Sequence, residues 1–275
     1  MVVTLGNDII KAYTGGVEVK EIYSNGVKVW PVTTPVPVPP NTQIWYTTNT
    51  GQACTPMYTT RFGATLLTNT YADGLGVMTF DGNVTRVGDL VFENNQELLT
   101  MYLPDTVTTI GEYAYENCEN LHTIRIPSGV TAIGQNAFDI PLDASHRGRL
   151  RSFTIPSGVT RIENKTFYNQ GTLPSITIPS RVTYIGVSAF ERCVGLTTIT
   201  IPASVTAIDD RAFYDCSNLI EVIMESTVPP TISSMPDCFD TGNPETQIKV
   251  PAEAYETYRR APGWSNIYEM LVPMS

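Results

Sequence analysis

Few side chains in this sequence are spaced for chemistry. The two histidines are His122 and His146, and the second lies in DIPLDASHRGR, residues 139–149, beside Asp143, Arg147 and Arg149. Imidazoles and carboxylates hold a metal when three or four converge at a fixed spacing, and two histidines with loose aspartates define no such set. No metal and no cofactor are expected. Among the five cysteines there is no CxxC pair, while Cys118, Cys193 and Cys216 each stand three residues after an aromatic. That placement reads as a small buried group used repeatedly, not as a disulfide framework. GxSxG, HExxH, a P-loop and GxGxxG are absent, and Asp209-Asp210 reads as a solvated corner. Without these motifs, hydrolytic, zinc-assisted and nucleotide chemistry lack their usual groups, and no enzymatic activity is expected.

Binding is the chemistry that remains, and the candidates for it are Tyr102, Arg125 and His122, with Asp143, His146 and Arg147 in the enlarged loop. What positions them is a repeat. Leading leucines at 75, 98, 121, 150, 173, 196 and 219 are 23, 23, 29, 23, 23 and 23 residues apart. This period falls in the leucine-rich-repeat range and predicts a solenoid of about seven coils. In LTTITIP from Leu196 the first, fourth and sixth residues are apolar, so each coil opens on a short strand with one face inward. Pro202 ends that strand, as Pro104, Pro127, Pro156 and Pro179 end theirs. Val205 and Ile208 point inward from a second extended segment, and Ala212-Phe213 is expected on a short helical turn. Phe92, Tyr115, Phe138, Phe167 and Phe190 repeat the position of Phe213 and predict an aromatic stack. A coil of this size has no private core, so stability must come from neighbour interfaces.

The third and fifth residues of each strand face outward and form two ladders. One is Val77, Thr100, Thr123, Ser152, Ser175, Thr198 and Glu221. The other is Thr79, Tyr102, Arg125, Thr154, Thr177, Thr200 and Ile223. Threonine suits a solvated sheet in any case. Tyr102 and Arg125 stand out as large groups among small ones, the types that dominate binding hot spots. A flat face with few charges fits a protein or glycan ligand better than a small metabolite. The enlarged coil carries about six extra residues in 139–149, and insertions in solenoids map to surface loops that often flank the binding side.

Residues 1–30 read as a small β attachment unit, with a hairpin in EVKEIYSNGVKVW around Asn25-Gly26. Residues 31–40, PVTTPVPVPP, read as an extended linker. Residues 41–74, with Ile44-Trp45-Tyr46, are expected to cap the array, residues 75–224 to form it, and residues 225–275 to close its far end. In that last segment PAEAYETYRRAPGW predicts a helix stopped at Pro262-Gly263. The 275 residues carry 27 acidic and 17 basic side chains, a net charge of -10, which excludes broad nucleic-acid binding. No apolar run reaches the roughly 18 residues that span a bilayer, so no membrane insertion is expected. MVVTLGNDIIKAYTGG has no basic segment followed by a long apolar run, and no secretion signal is read in it.

The Leu-x-x-Ile-x-Ile-Pro strands, Val-Thr-x-Ile-Gly segments and Ala-Phe-x-x-Cys turns closely resemble BspA-type leucine-rich repeats of bacterial, protist and phage-encoded surface proteins. The resemblance covers roughly residues 75–224. IKVPAEAYETYRRAPGW is similar to the segment that often follows such arrays in gut Bacteroidales proteins. IKAYTGGVEVKEIYSNGVKVWP and IWYTTNTGQACTPMY resemble segments joined to such repeats in gut-phage or prophage proteins. The resemblance implies adhesion or recognition at a bacterial cell surface or on a virion, with residues 1–30 as a possible scaffold attachment. It implies no catalytic residues.

Overall fold

The computed structural model describes residues 2–5, 8–13, 19–24, 27–29, 38–142, 147–232 and 236–274. The chain divides into two compact units, Met1–Val38 and Pro39–Ser275. In the first, Val2–Leu5, Asp8–Tyr13, Val19–Ser24 and Val27–Val29 pair in chain order as an antiparallel sheet. The sequence predicts one hairpin there, and the structure has a four-stranded meander. Ser24 pairs with Val27, so two residues join the last two strands; Asn25 and Gly26 themselves lie outside the described residues, as does most of the proline-rich segment.

The second unit is a leucine-rich-repeat solenoid of roughly eight short-strand turns around one continuous core, which runs from Ile44 to Leu271. Leu98, Leu121, Leu150, Leu173, Leu196 and Leu219 are all buried in it. Behind the strands, Phe92, Tyr115, Phe138, Phe167, Phe190 and Phe213 stack face to face. The aromatic turns are not helical. The coils put a first residue in the left-handed region, Leu90, Tyr113, Asn136, Lys165, Ser188 or Arg211, and all of these but the Asn136 coil add a second, Asn94, Asn117, Asn169, Arg192 or Asp215. The reason is where the donors go. Phe92 N–H donates to Ala114 O, Phe167 N–H to Ala189 O and Phe190 N–H to Ala212 O, so the amides serve the next coil instead of an internal helix. Gly111 and Gly134 have a related cause, since a Cβ there would sit 2.5 and 2.6 Å from main-chain nitrogens of the preceding coil. Glycine at these positions permits close approach, not a special φ.

Both ends depart from the predicted repeat. Strand Leu75–Phe80 does not stack on Leu98–Tyr102. Strand Gln43–Thr48 lies between them, antiparallel to both, with Leu66–Ala72 on the outer edge. At the other end the repeat continues beyond the predicted boundary. Gln247–Val250 adds a parallel strand to Glu221–Met224, and Phe239 stacks on Phe213 at 5.5 Å. The helix Tyr255–Arg260 and Trp264 then cover the core, where Tyr258 Oη–H donates to Ser226 O and Trp264 Nε1–H to Pro230 O.

Candidate recognition face

The mixed sheet at the N-terminal end of the solenoid aligns one row of outward side chains. Thr70 is opposite Val77, Val77 opposite Trp45, Trp45 opposite Tyr102, and Tyr102 opposite Arg125. Their chain neighbours Met78, Ile44, Met101 and Ile124 are buried, which fixes the row on the outside. Beside it runs a second row, Thr47, Thr100 and Thr123, in which the Thr47 and Thr100 hydroxyls are 2.8 Å apart.

Tyr102 is not the protruding group that its ladder position suggests. It is only 5% exposed, because the Gln43–Thr48 strand places it in mid-sheet, between Trp45 and Arg125. Burial pushes its phenol above the ordinary tyrosine range. Arg125 is pinned along the surface: Nη1 donates to Leu103 O at 2.7 Å and Nη2 to Asp105 Oδ1 at 2.5 Å. A guanidinium held this way is ordered in advance and loses little freedom on binding. His122 is half-buried with Nδ1 3.0 Å from the Thr123 hydroxyl, and burial with nearby Arg151 lowers its pKa, so it is uncharged at neutral pH. Arg147 is exposed and lies along Gly171 in the next coil, where a Cβ would meet its Cδ at 2.8 Å. Register does not bring it to the Tyr102 row. Asp143 and His146 lie outside the described residues.

Sequence reasoning missed Trp45 as a member of this row. Its alternation in QIWYTT was legible, but the strand it would lie beside was not.

The cysteines are structural. All five are free and buried, and the Sγ–H groups of Cys118, Cys193 and Cys216 donate to Phe92 O, Phe167 O and Phe190 O of preceding coils. Burial pushes the Cys193 thiol up to about 12, which removes thiolate reactivity. Among the described residues no group of three or more His, Cys, Asp or Glu is arranged to hold a metal ion, and no helix is long and apolar enough to cross a membrane.

The sequence model of the BspA type leucine rich repeat region matches residues 70–143 and 139–258, in 6 copies. The chain belongs to this family, whose fold is a non-catalytic scaffold that serves generally in adhesion and recognition. Among solved structures it is similar to the leucine-rich repeat protein TpLRR of T. pallidum, at 26% identity over 59% of this chain and 74% of that one, with a TM-score of 0.51. A leucine-rich repeat protein of Bacteroides ovatus is 19% identical over 70% of this chain, TM-score 0.38. The pneumococcal vaccine antigen PcpA is 15% identical over 74%, TM-score 0.49. The chain spans 58% and 46% of the length of these last two. No curated protein sequence matches it.

Proposed function

We propose that the chain is a non-enzymatic adhesion module that binds a protein or glycan on a cell surface through the row of Trp45, Tyr102 and Arg125. The observation that supports it is the placing of Trp45 and Arg125 on either side of the largely covered Tyr102 in one register row, beside a row of threonines. Aromatic and arginine side chains already held in place lose little freedom on binding, which is what distinguishes a hot spot from the contacts around it. His122 supplies an uncharged donor or acceptor beside them. Asp143, His146 and Arg147 of the enlarged coil are proposed as a further contact apart from this row, on the strength of the sequence alone. The working location is extracellular, where such a face meets its ligand.

A glycan array and a pulldown from host-cell surfaces test this reading. Trp45→Ala and Arg125→Ala are expected to lose at least about tenfold of the binding signal with an unchanged melting curve, as removal of central hot-spot groups does. Tyr102→Phe serves for the buried tyrosine. Full binding in all three variants rules this row out.

A second reading is a structural or decorative component of a phage virion, attached through residues 1–30. It is supported by the leader's resemblance to phage-associated segments and by its separate four-stranded sheet. Mass spectrometry of purified particles decides it, and absence of the chain from the particle removes it.

A further inference from the structure

Charge is unevenly spread along the solenoid. Residues 147–192 hold seven of the 17 basic side chains and two of the 27 acidic ones, in a chain of net charge -10. Both acids there are already engaged, Glu163 with Arg161 and Glu191 with Arg211. Three of the cations, Arg147, Arg149 and Arg151, alternate in the stretch RGRLR. All three are exposed, while Gly148 and Leu150 between them are buried, so the arginines share the outer side of the chain. The main chain beneath them is fixed from both neighbouring coils. Gly148 N–H donates to Asn169 O at 2.9 Å, Leu150 N–H to Gln170 Oε1 at 3.4 Å and Arg151 N–H to His122 O at 3.2 Å. The Thr172 hydroxyl donates to Leu150 O at 2.9 Å. Gln170 is itself buried and held, its Nε2–H donating to Phe138 O at 2.6 Å.

None of the three guanidinium groups makes an ion pair among the described residues. Arginines two residues apart have Cα atoms within about 7 Å of each other. Cations kept this close repel one another, and the chain supplies no counter-charge beside them. We propose that this strip binds a linear anionic glycan, whose uronate or sulfate groups pair with the guanidinium forks of Arg147, Arg149 and Arg151. The planar fork matches two oxygens of a carboxylate or sulfate at once. The main-chain donors of Gly148, Leu150 and Arg151 are taken, so an acidic peptide cannot add a strand to them. Phe153, Phe167 and Tyr168, the rings of this coil, are buried, so nucleic-acid bases have no platform to stack on. A glycan needs neither, since it meets side chains through its own anionic groups and hydroxyls. The acidic excess in the rest of the chain repels a polyanion elsewhere and steers it to this band. The strip shares no residue with the Trp45–Tyr102–Arg125 row, so either site can fail without the other.

The test is fluorescence anisotropy of labelled oligogalacturonate and heparin hexasaccharides with the full chain. Neutral maltohexaose, a single-stranded oligonucleotide and a hexaglutamate peptide serve as controls. At least one of the anionic glycans is expected to bind, and to lose about tenfold in affinity between about 50 and about 200 mM salt, as a few charge contacts require. The double variant Arg149→Gln, Arg151→Gln is expected to bind it at least about tenfold more weakly with an unchanged melting curve, since both side chains are exposed. Arg86→Gln and Trp45→Ala leave binding unchanged. Which of the two glycans binds decides between uronate and sulfate. Failure of both overturns the proposal, as does full binding by the double variant. Equal or tighter binding of any of the three controls also overturns it.

Discussion

The two long walls of the solenoid meet the same inserted residues and respond differently. On the turn wall the rings from Phe92 to Phe239 continue without a break. Centroid spacings are 5.3, 5.3, 5.9, 5.4, 5.4 and 5.5 Å, and interplanar angles do not exceed 15°. The largest spacing, Phe138 to Phe167, is where the segment 139–149 enters, and main-chain bonds still cross it, with Phe138 N–H donating to Thr166 O. On the strand wall the ladder stops after Thr123–Arg125 and resumes at Thr198–Ile201. The second extended segments also fall into two sheets, one ending at Ala132–Ile133 and one starting at Arg161–Ile162. Ring stacking is a broad attraction that tolerates a few tenths of an ångström. A ladder needs every donor aligned, and beside the inserted segment the first extended segments also carry Pro174, which has no N–H to give, and Phe153, where other coils have isoleucine. The turn wall is therefore the regular one, and irregularity collects on the strand wall.

The sharpest way to break this comparison is to remove one ring from each wall. Phe190 is fully buried between Phe167 and Phe213, each 5.4 Å away. Phe190→Ala is expected to cost about 3–5 kcal/mol, since neither neighbour can close onto the void. Phe153→Ala on the strand wall is expected to cost less, about 2–3 kcal/mol, because its segment is held by no ladder and can settle onto the void. Urea midpoints of the two variants measure the difference. Equal losses would mean that both walls carry the load alike.

The turn wall was legible in the sequence because its aromatic position repeats with the leucine period, and the burial of the leading leucines follows from the same pattern. The strand wall was legible in one respect only, its inward and outward alternation. Where Gln43–Thr48 inserts was not, because alternation identifies a strand but does not name its neighbour. The exposure expected of Tyr102 failed for that reason. Phe239 was missed because extra residues precede it and remove the period. Phe153 and Pro174 stand at the break, where 152–155 and 175–178 join no sheet, but both satisfy the apolar pattern, and only the stacked coils show a ladder open there.

A smaller effect sharpens the account of the turn wall. Tyr115 takes a place in the stack that phenylalanine fills in the neighbouring coils, and its hydroxyl is buried with no hydrogen-bond partner among the described residues. Burial raises its pKa well above the tyrosine range. An unsatisfied buried hydroxyl costs about 1–3 kcal/mol, so Tyr115→Phe is expected to stabilise the chain by about 1–2 kcal/mol at unchanged ring spacing. Thermal melting checks this, and a destabilised variant would mean that the hydroxyl has a role in the wall.

The smallest expected effect comes from charges that ride on the same wall. Glu93, Glu116 and Asp139 each follow a stacked ring, so coil spacing holds three carboxyls in line. Burial, then Asp139 and Glu93, push Glu116 up to about 7. Burial pushes Asp139 up to about 6 against the opposing pull of the Asn136 amide and Lys165, and its Oδ1 has no partner among the described residues. An acid whose folded pKa is raised binds its proton more tightly in the folded chain. Stability is therefore gained on acidification through the window from about 7 down to about 4 and lost as pH rises through it. Because Glu116 is partly solvated, the gain is about 1 kcal/mol after allowance for screening. Glu116→Gln is expected to raise the melting temperature at pH 8, leave it nearly unchanged at pH 4.5, and flatten the slope between. An unaltered slope would show that the ring stack does not hold these carboxyls close enough to share protons, and that the regularity of the turn wall ends at its aromatic core.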